Sequence, residues 1–226
     1  MWFLNGNVKS YVKHVTLVKE VVKVWESHAN VIFEFPSDWD EKSPPEVRIL
    51  FSAPENRSYI GRDILAVTAN EKPDNLQWTM QLNPDGLSEE ADFTGTILHE
   101  FGHTLGFMHE HQRPDARLKL DYDLPKLYKW YEEEYNWGVS KVDEQVFNFQ
   151  ENVGKDFAAN KFDTKSIMMY AVPPEILNDG STPIPRNNVL SDDDIEWVKR
   201  LYPKGGDRKP FGTGEIIHGE VLPKPV

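Results

Sequence analysis

Residues 99–109 read HEFGHTLGFMH, and of the seven histidines in the chain four (His99, His103, His109 and His111) fall between positions 99 and 111. On a helix, His99 and His103 project from one face a turn apart. That arrangement suits two imidazole nitrogens on one zinc ion at about 2.0–2.1 Å. Glu100, beside the first histidine, can reach a water on the metal without ligating the metal itself. A glycine at 106 can take a left-handed conformation and turn the chain back, so that His109 supplies a third nitrogen. Three neutral nitrogens leave a fourth position open for water or a substrate carbonyl, which marks a catalytic rather than a structural zinc. The expectation is one zinc ion per chain on His99, His103 and His109, with Glu100 as general base. A lone HExxH recurs by chance, whereas the full HExxHxxGxxH on a stretch that also reads as a helix ending at its glycine is specific.

Composition narrows the alternatives. The chain has 226 residues, enough for a sizeable core in one domain with two lobes. A formal net charge of −12 disfavours a nucleic-acid binder, which needs a basic face. No apolar run approaches the roughly 18 residues of a membrane span. There is no cysteine, so disulfides, a Cys nucleophile and a thiolate zinc site are excluded, and histidine and carboxylate must hold any metal. The opening MWFLNGNVKS has no basic start followed by an apolar stretch, so no signal peptide is read there.

Several elements must position the histidines. MWFLN (1–5) reads as a strand closed by Gly6. Val12, Val15, Val18, Val22 and Trp25 recur at steps of three and four, the pattern of an amphipathic helix. VIFEF (31–35), EVRILF (46–51) and WTMQL (78–82) read as strands, with Val47, Ile49 and Phe51 alternating against Arg48, and a weaker strand lies around 64–67. The motif helix is read from Ser88 as N-cap, with Glu89 and Glu90 in its first turn. Its apolar positions are Phe93, Ile97, Phe101 and Leu105. Beyond Pro114 a helix is read at about 124–135, followed by a long irregular stretch. SDDDIEWVKRLY then forms a last helix, with Ser191 as N-cap and Lys199 and Arg200 in its final turn.

His99-Glu100-x-x-His103-x-x-Gly106-x-x-His109 resembles the zinc signature of the metzincin endopeptidases, which is followed by a Met-turn. Ser166-Ile167-Met168-Met169-Tyr170 matches that turn, and within the clan His109-Glu110-His111-x-Arg113 is similar to the astacins. The resemblance implies that Met168 lies beneath the three histidines. It also implies that Tyr170 ligates the resting metal and swings away to hydrogen-bond the transition state. Two features differ from the astacin pattern: astacin catalytic domains usually carry disulfides, and the residue after the Met-turn methionine is commonly His where this chain has Met169. The chain is identified as an astacin-like member, of a divergent or matrixin-related branch.

The resemblance implies an α+β metzincin fold. A mixed twisted sheet and the active-site helix occupy an N-terminal lobe (about 1–106), and a mostly irregular and helical C-terminal lobe spans about 107–203. Residues 204–226 read as a tail. The implied activity is zinc-dependent endopeptidase, with Glu100 and Tyr170 catalytic, a protein or peptide as substrate, and a monomeric chain. A catalytically silent zinc-bearing binding module and a matrixin-like protease are the alternatives. A substrate strand is expected to add to an edge strand around 63–68. Arg186, the only cation in AVPPEILNDGSTPIPRN, is expected to line the pocket after the scissile bond and to favour an acidic side chain there. The resemblance favours secretion, while the missing signal peptide and cysteines pull the other way.

Overall fold

Hydrophobic alternation in the first half of the chain resolves into short strands laid side by side, with helices packed on them. The computed structural model describes residues 1–38, 44–52, 54–69, 77–86, 89–116, 119–148 and 161–205, without the side chains of 68 and 69. In chain order its elements are β1 (Trp2–Phe3), α1 (Val12–Val21), α2 (Lys23–His28), β2 (Arg48–Phe51), β3 (Arg57–Ser58), α3 (Asp63–Ala69), β4 (Met80–Leu82), α4 (Glu90–Thr104), α5 (Leu124–Tyr135), α6 (Val139–Val146) and α7 (Asp192–Leu201). The sheet order is β1-β2-β4-β3. The first three strands run parallel, and β3 lies antiparallel to β4 at the edge. This is an α+β arrangement with a mixed sheet.

Packing divides the described residues into two units. The first draws on Met1–His109, Lys165–Tyr170 and Arg186–Lys204, the second on Glu110–Thr164, Ala171–Pro185 and the chain from Gly205. The stretch around the expected Met-turn and the last helix therefore belong with the residues of the first half. Of the expected tail at 204–226, only 204 and 205 are among the described residues.

In the first unit, β2 and β4 are buried on both faces, as central parallel strands are. Arg48 is buried rather than outward. Its Nε donates to the carbonyl of Gln77 and its Nη1 to that of Pro45, so backbone oxygens replace water around the charge. The helix read from Val12 to Trp25 is broken at Val22 into α1 and α2, and both keep the apolar stripe Val18, Val21, Val22 and Trp25 inward. Trp25 reaches across to α4, its Nε1–H donating to the Leu98 carbonyl at 3.1 Å. On α4 itself Phe93, Ile97, Phe101 and Leu105 are all buried, as their four-residue spacing predicts. The expected cap Ser88 lies outside the described residues, and the helix follows Glu89.

Two strand expectations are overturned. Residues 63–68 lie in the helix α3, because Ile64 is buried and Val67, three residues on, half-buried, while Leu65 and Ala66 stay exposed. A helical period, not alternation, fits that burial. VIFEF forms no strand either: the Phe33 N–H is taken by the Glu26 carboxylate at 2.7 Å. The rings of Phe33 and Phe35 anchor on Phe101 and Phe3 instead of joining a ladder.

In the second unit, α5 starts as its sequence suggests, with the Asp123 side chain accepting the Lys126 N–H, and ends at Asn136 in a left-handed conformation. α6 occupies part of the stretch read as irregular, and its Val142 and Val146 are buried. His111 is buried there, its Nε2 bonded to the Gln145 carbonyl at 2.9 Å.

Candidate metal centre and active site

The helix α4 delivers His99, Glu100 and His103 in its last two turns. It closes in a Schellman motif: the Gly106 N–H bonds the His103 carbonyl at 2.8 Å and the Phe107 N–H bonds the Gly102 carbonyl at 3.0 Å. Gly106 takes φ +98°, which a side chain would strain. The chain that leaves this turn carries His109 back to the helix. Ring centroids are then 4.7 Å apart for His99 and His103, 5.2 Å for His99 and His109, and 4.6 Å for His103 and His109.

One ring nitrogen of each histidine lies within 4.8 Å of the other two. Nε2 of His103 is 3.0 Å from Nε2 of His109, close to the ~3.3 Å kept by two nitrogens on a tetrahedral zinc. Two of the three rings have their orientation fixed from behind. His99 Nδ1 donates to the Ile167 carbonyl and His103 Nδ1 to the Phe107 carbonyl, each at 2.8 Å. A carbonyl only accepts, so these nitrogens carry the protons, and in a neutral ring that leaves Nε2 as the atom with a lone pair for a metal. Burial pushes His99 down to about 4, which holds it neutral across the physiological range. Three imidazoles converging on one point, with the outer nitrogens of His99 and His103 bonded to backbone carbonyls, form a donor set that fits zinc.

Glu100 is 4% exposed and its Oε2 has no hydrogen-bond partner. Burial alone raises its carboxyl to about 8. A buried carboxyl without a partner is costly to keep, and such groups concentrate at sites of chemistry. Tyr170 sits over the cluster, its ring centroid 4.6 Å from that of His109 and 6.0 Å from that of His99. Met168, 1% exposed, packs its sulfur against α4 where Gly102 has no side chain: a Cβ there would stand 2.5 Å from Sδ. Arg186 lies along the earlier part of α4. Its Nη2 donates to the Asp92 carbonyl at 3.1 Å and to Thr96 Oγ1 at 2.6 Å, and its Nε is 3.5 Å from the Asp92 carboxylate.

The edge strand beside this helix is β3. Ser58 Oγ lies 3.3 Å from Thr104 Oγ1, and the Gly61 N–H bonds the His103 carbonyl at 2.8 Å. Nothing in ENRSY announced a strand, because an edge strand two residues long has no period to read. The Ile167 and Phe107 carbonyls were also beyond reach of the sequence, since a backbone oxygen leaves no mark in it.

Residues 86–202 match the family model described as Astacin, a peptidase family. The chain belongs to the astacin family. Among its relatives, a bone morphogenetic protein 1 homolog of Strongylocentrotus purpuratus is 25% identical over 208 residues, covering 92% of this chain and 27% of that protein. The zinc metalloproteinase nas-3 of Caenorhabditis elegans is 28% identical over 145 residues, covering 64% of this astacin and 40% of its relative. The chain thus spans less than half the length of either. Myroilysin, as a solved structure, is 28% identical with a TM-score of 0.72, and the match covers 90% of this chain and 91% of that one. The high choriolytic enzyme 1 of Oryzias latipes, a hatching enzyme zinc-protease, is 18% identical with a TM-score of 0.52, a likeness of fold alone. The α+β fold of this astacin is the metzincin fold.

Proposed function

We propose that this chain is a zinc-dependent endopeptidase that hydrolyses peptide bonds in proteins. The observation that carries the reading is the convergence of His99, His103 and His109 on one point, beside the buried Glu100 carboxyl, whose Oε2 has no hydrogen-bond partner. His99, His103 and His109 would hold a zinc ion, which would polarise the scissile carbonyl and lower the pKa of a water toward 7. Glu100 takes a proton from that water as its oxygen adds to the carbonyl carbon, and passes it to the amine as the C–N bond breaks. The Tyr170 hydroxyl donates to the oxyanion that develops on the carbonyl oxygen. Met168 supports the helix from below and takes no part in the chemistry.

An extended substrate adds to the free edge of β3, a form of strand addition. The bonds from Ser58 to Thr104 and from Gly61 to His103 hold that edge against the helix bearing the histidines. Arg186, with 43% of its side chain exposed, favours an acidic side chain after the scissile bond. A cleavage-site profile without acidic enrichment there would remove Arg186 from the pocket. Among the described residues no helix is long and apolar enough to cross a membrane.

The decisive experiment is cleavage of an unfolded protein by wild type and by Glu100→Gln, each carrying about one zinc per chain. Wild type is expected to cut, and the variant to retain zinc and lose at least about 100-fold in turnover, the low end of what a general base supplies. Equal turnover in the two removes Glu100 as the base. Zinc held with no cleavage by either points to a silent binding module.

A further inference from the structure

The tautomer of His99 is fixed by the Ile167 carbonyl, and that peptide group is itself held. The N–H of the same peptide, at Met168, donates to Ser166 Oγ at 3.0 Å. Ser166 Oγ–H donates in turn to Asp194 Oδ1 at 2.7 Å. Asp194 Oδ2 accepts the Ile167 N–H at 2.7 Å and the Ser191 N–H at 2.9 Å. The Ser166 carbonyl accepts from Asn187 Nδ2 at 2.9 Å. Asp194 is 4% exposed and Ser166 is likewise buried, so these bonds are sheltered from water.

We infer that Asp194, on α7, is a positioning residue for the metal centre, acting on His99 through Ser166 and the Ile167–Met168 peptide. The inference rests on the reading of His99 as a zinc ligand. Every bond in the series points the same way: imidazole N–H to carbonyl, peptide N–H to hydroxyl, hydroxyl to carboxylate. A chain of bonds in one sense polarises each member, and an ionised end strengthens it. Carboxylates commonly orient a metal-bound histidine by accepting its second N–H directly. Here a serine and one peptide group stand between the two, spanning the 95 residues from His99 to Asp194. The consequence for the metal is a fixed ring orientation and a more basic Nε2.

Asp194 also has a structural task, since with Ser191 it forms the capping box that starts α7. A test must separate the two tasks, and His103 provides the control. Its Nδ1–H is bonded to the Phe107 carbonyl, outside the Asp194 series. The measurement is solvent exchange of the two Nδ1 protons in the zinc-loaded full chain by nitrogen-15 NMR, with zinc affinity alongside. Ser166→Ala removes the relay while leaving Asp194 and its cap in place, and Ser166→Thr retains the hydroxyl. Asp194→Asn replaces one acceptor oxygen by a donor.

In Ser166→Ala and Asp194→Asn, the His99 proton is expected to exchange about tenfold faster, with that of His103 unchanged. Zinc affinity should fall about tenfold, the lower end of the effect of losing an outer-shell partner. Ser166→Thr should restore both values. Equal acceleration of the two protons, or of neither, overturns the inference. If Asp194→Asn does not fold, the two Ser166 variants decide the matter. The premise has its own readout: zinc added to metal-free wild type must shift the Nε2 resonance of His99. No shift there defeats the zinc-site reading and the positioning role together, whereas a shift without the differential exchange defeats the role alone.

Discussion

Glu100, buried, and His99, half-buried, are adjacent on α4, and desolvation moves them in opposite directions: the carboxyl up to about 8, the imidazole down to about 4. Each is thereby held neutral in the metal-free chain. For Glu100 the folded value lies above the unfolded value of 4.5, so its favourable contribution is present below about 4.5 and is lost as pH rises through about 8. For His99 the folded value lies below the unfolded 6.5, so stability is lost as pH falls from about 6.5 through about 4. Urea midpoints of the metal-free chain should therefore decline between pH 5.5 and 8.5 in wild type more than in Glu100→Gln. Identical slopes would show that burial does not raise this carboxyl. With zinc bound, Tyr170→Phe should lower turnover by about 100-fold, the low end of what one oxyanion donor supplies, with zinc content unchanged. At this scale the sequence was informative, because a four-residue spacing on a helix dictates which side chains share a face. Its limit was Asp194, whose neighbours in the sequence only announced a helix cap.

Two glycines of α4 and its end serve the site for different reasons. Gly102 is needed for space, since a Cβ would stand 2.5 Å from Met168 Sδ and 3.5 Å from the Trp25 ring. Gly106 has open space around it and is needed for its backbone, at φ +98°. Gly102→Ala is expected to destabilise the chain by about 1–2 kcal/mol, overpacking outweighing the better helix propensity of alanine. Gly106→Ala should cost about 1–2 kcal/mol through strain. A double-mutant cycle in urea tells the two apart: Met168→Ala should relieve Gly102→Ala and leave the cost of Gly106→Ala intact. Long elements with a strong period were legible, as α4, α5 and α7 show. The short ones were not. Residues 63–68 and 31–35 are apolar enough for strands, but the inward turn of Ile64 and Val67 and the capture of the Phe33 N–H by Glu26 decide otherwise.

Over the whole molecule the formal charge of −12 surrounds a site proposed to cut protein. Such a field attracts cationic substrates over a distance set by the salt, about 30 Å at 0.01 M and about 3 Å at 1 M. The ratio kcat/KM for a lysine-rich unfolded substrate should therefore fall several-fold between low and high salt, while that for a neutral peptide stays level. A flat profile for both would show that the net charge does not steer association. What the sequence alone determined is local: the histidine spacing, the glycine that ends the helix, the acidic opening of α7. Each is set within a few residues by helix geometry and capping. What only the tertiary structure decided is everything that needs partners far apart in the chain. It set the Met168 sulfur against Gly102, β3 as the edge beside His103, and a carboxylate on α7 behind the His99 ring. Those placements follow from packing and from the pairing of buried backbone groups, and no spacing in the sequence encodes them.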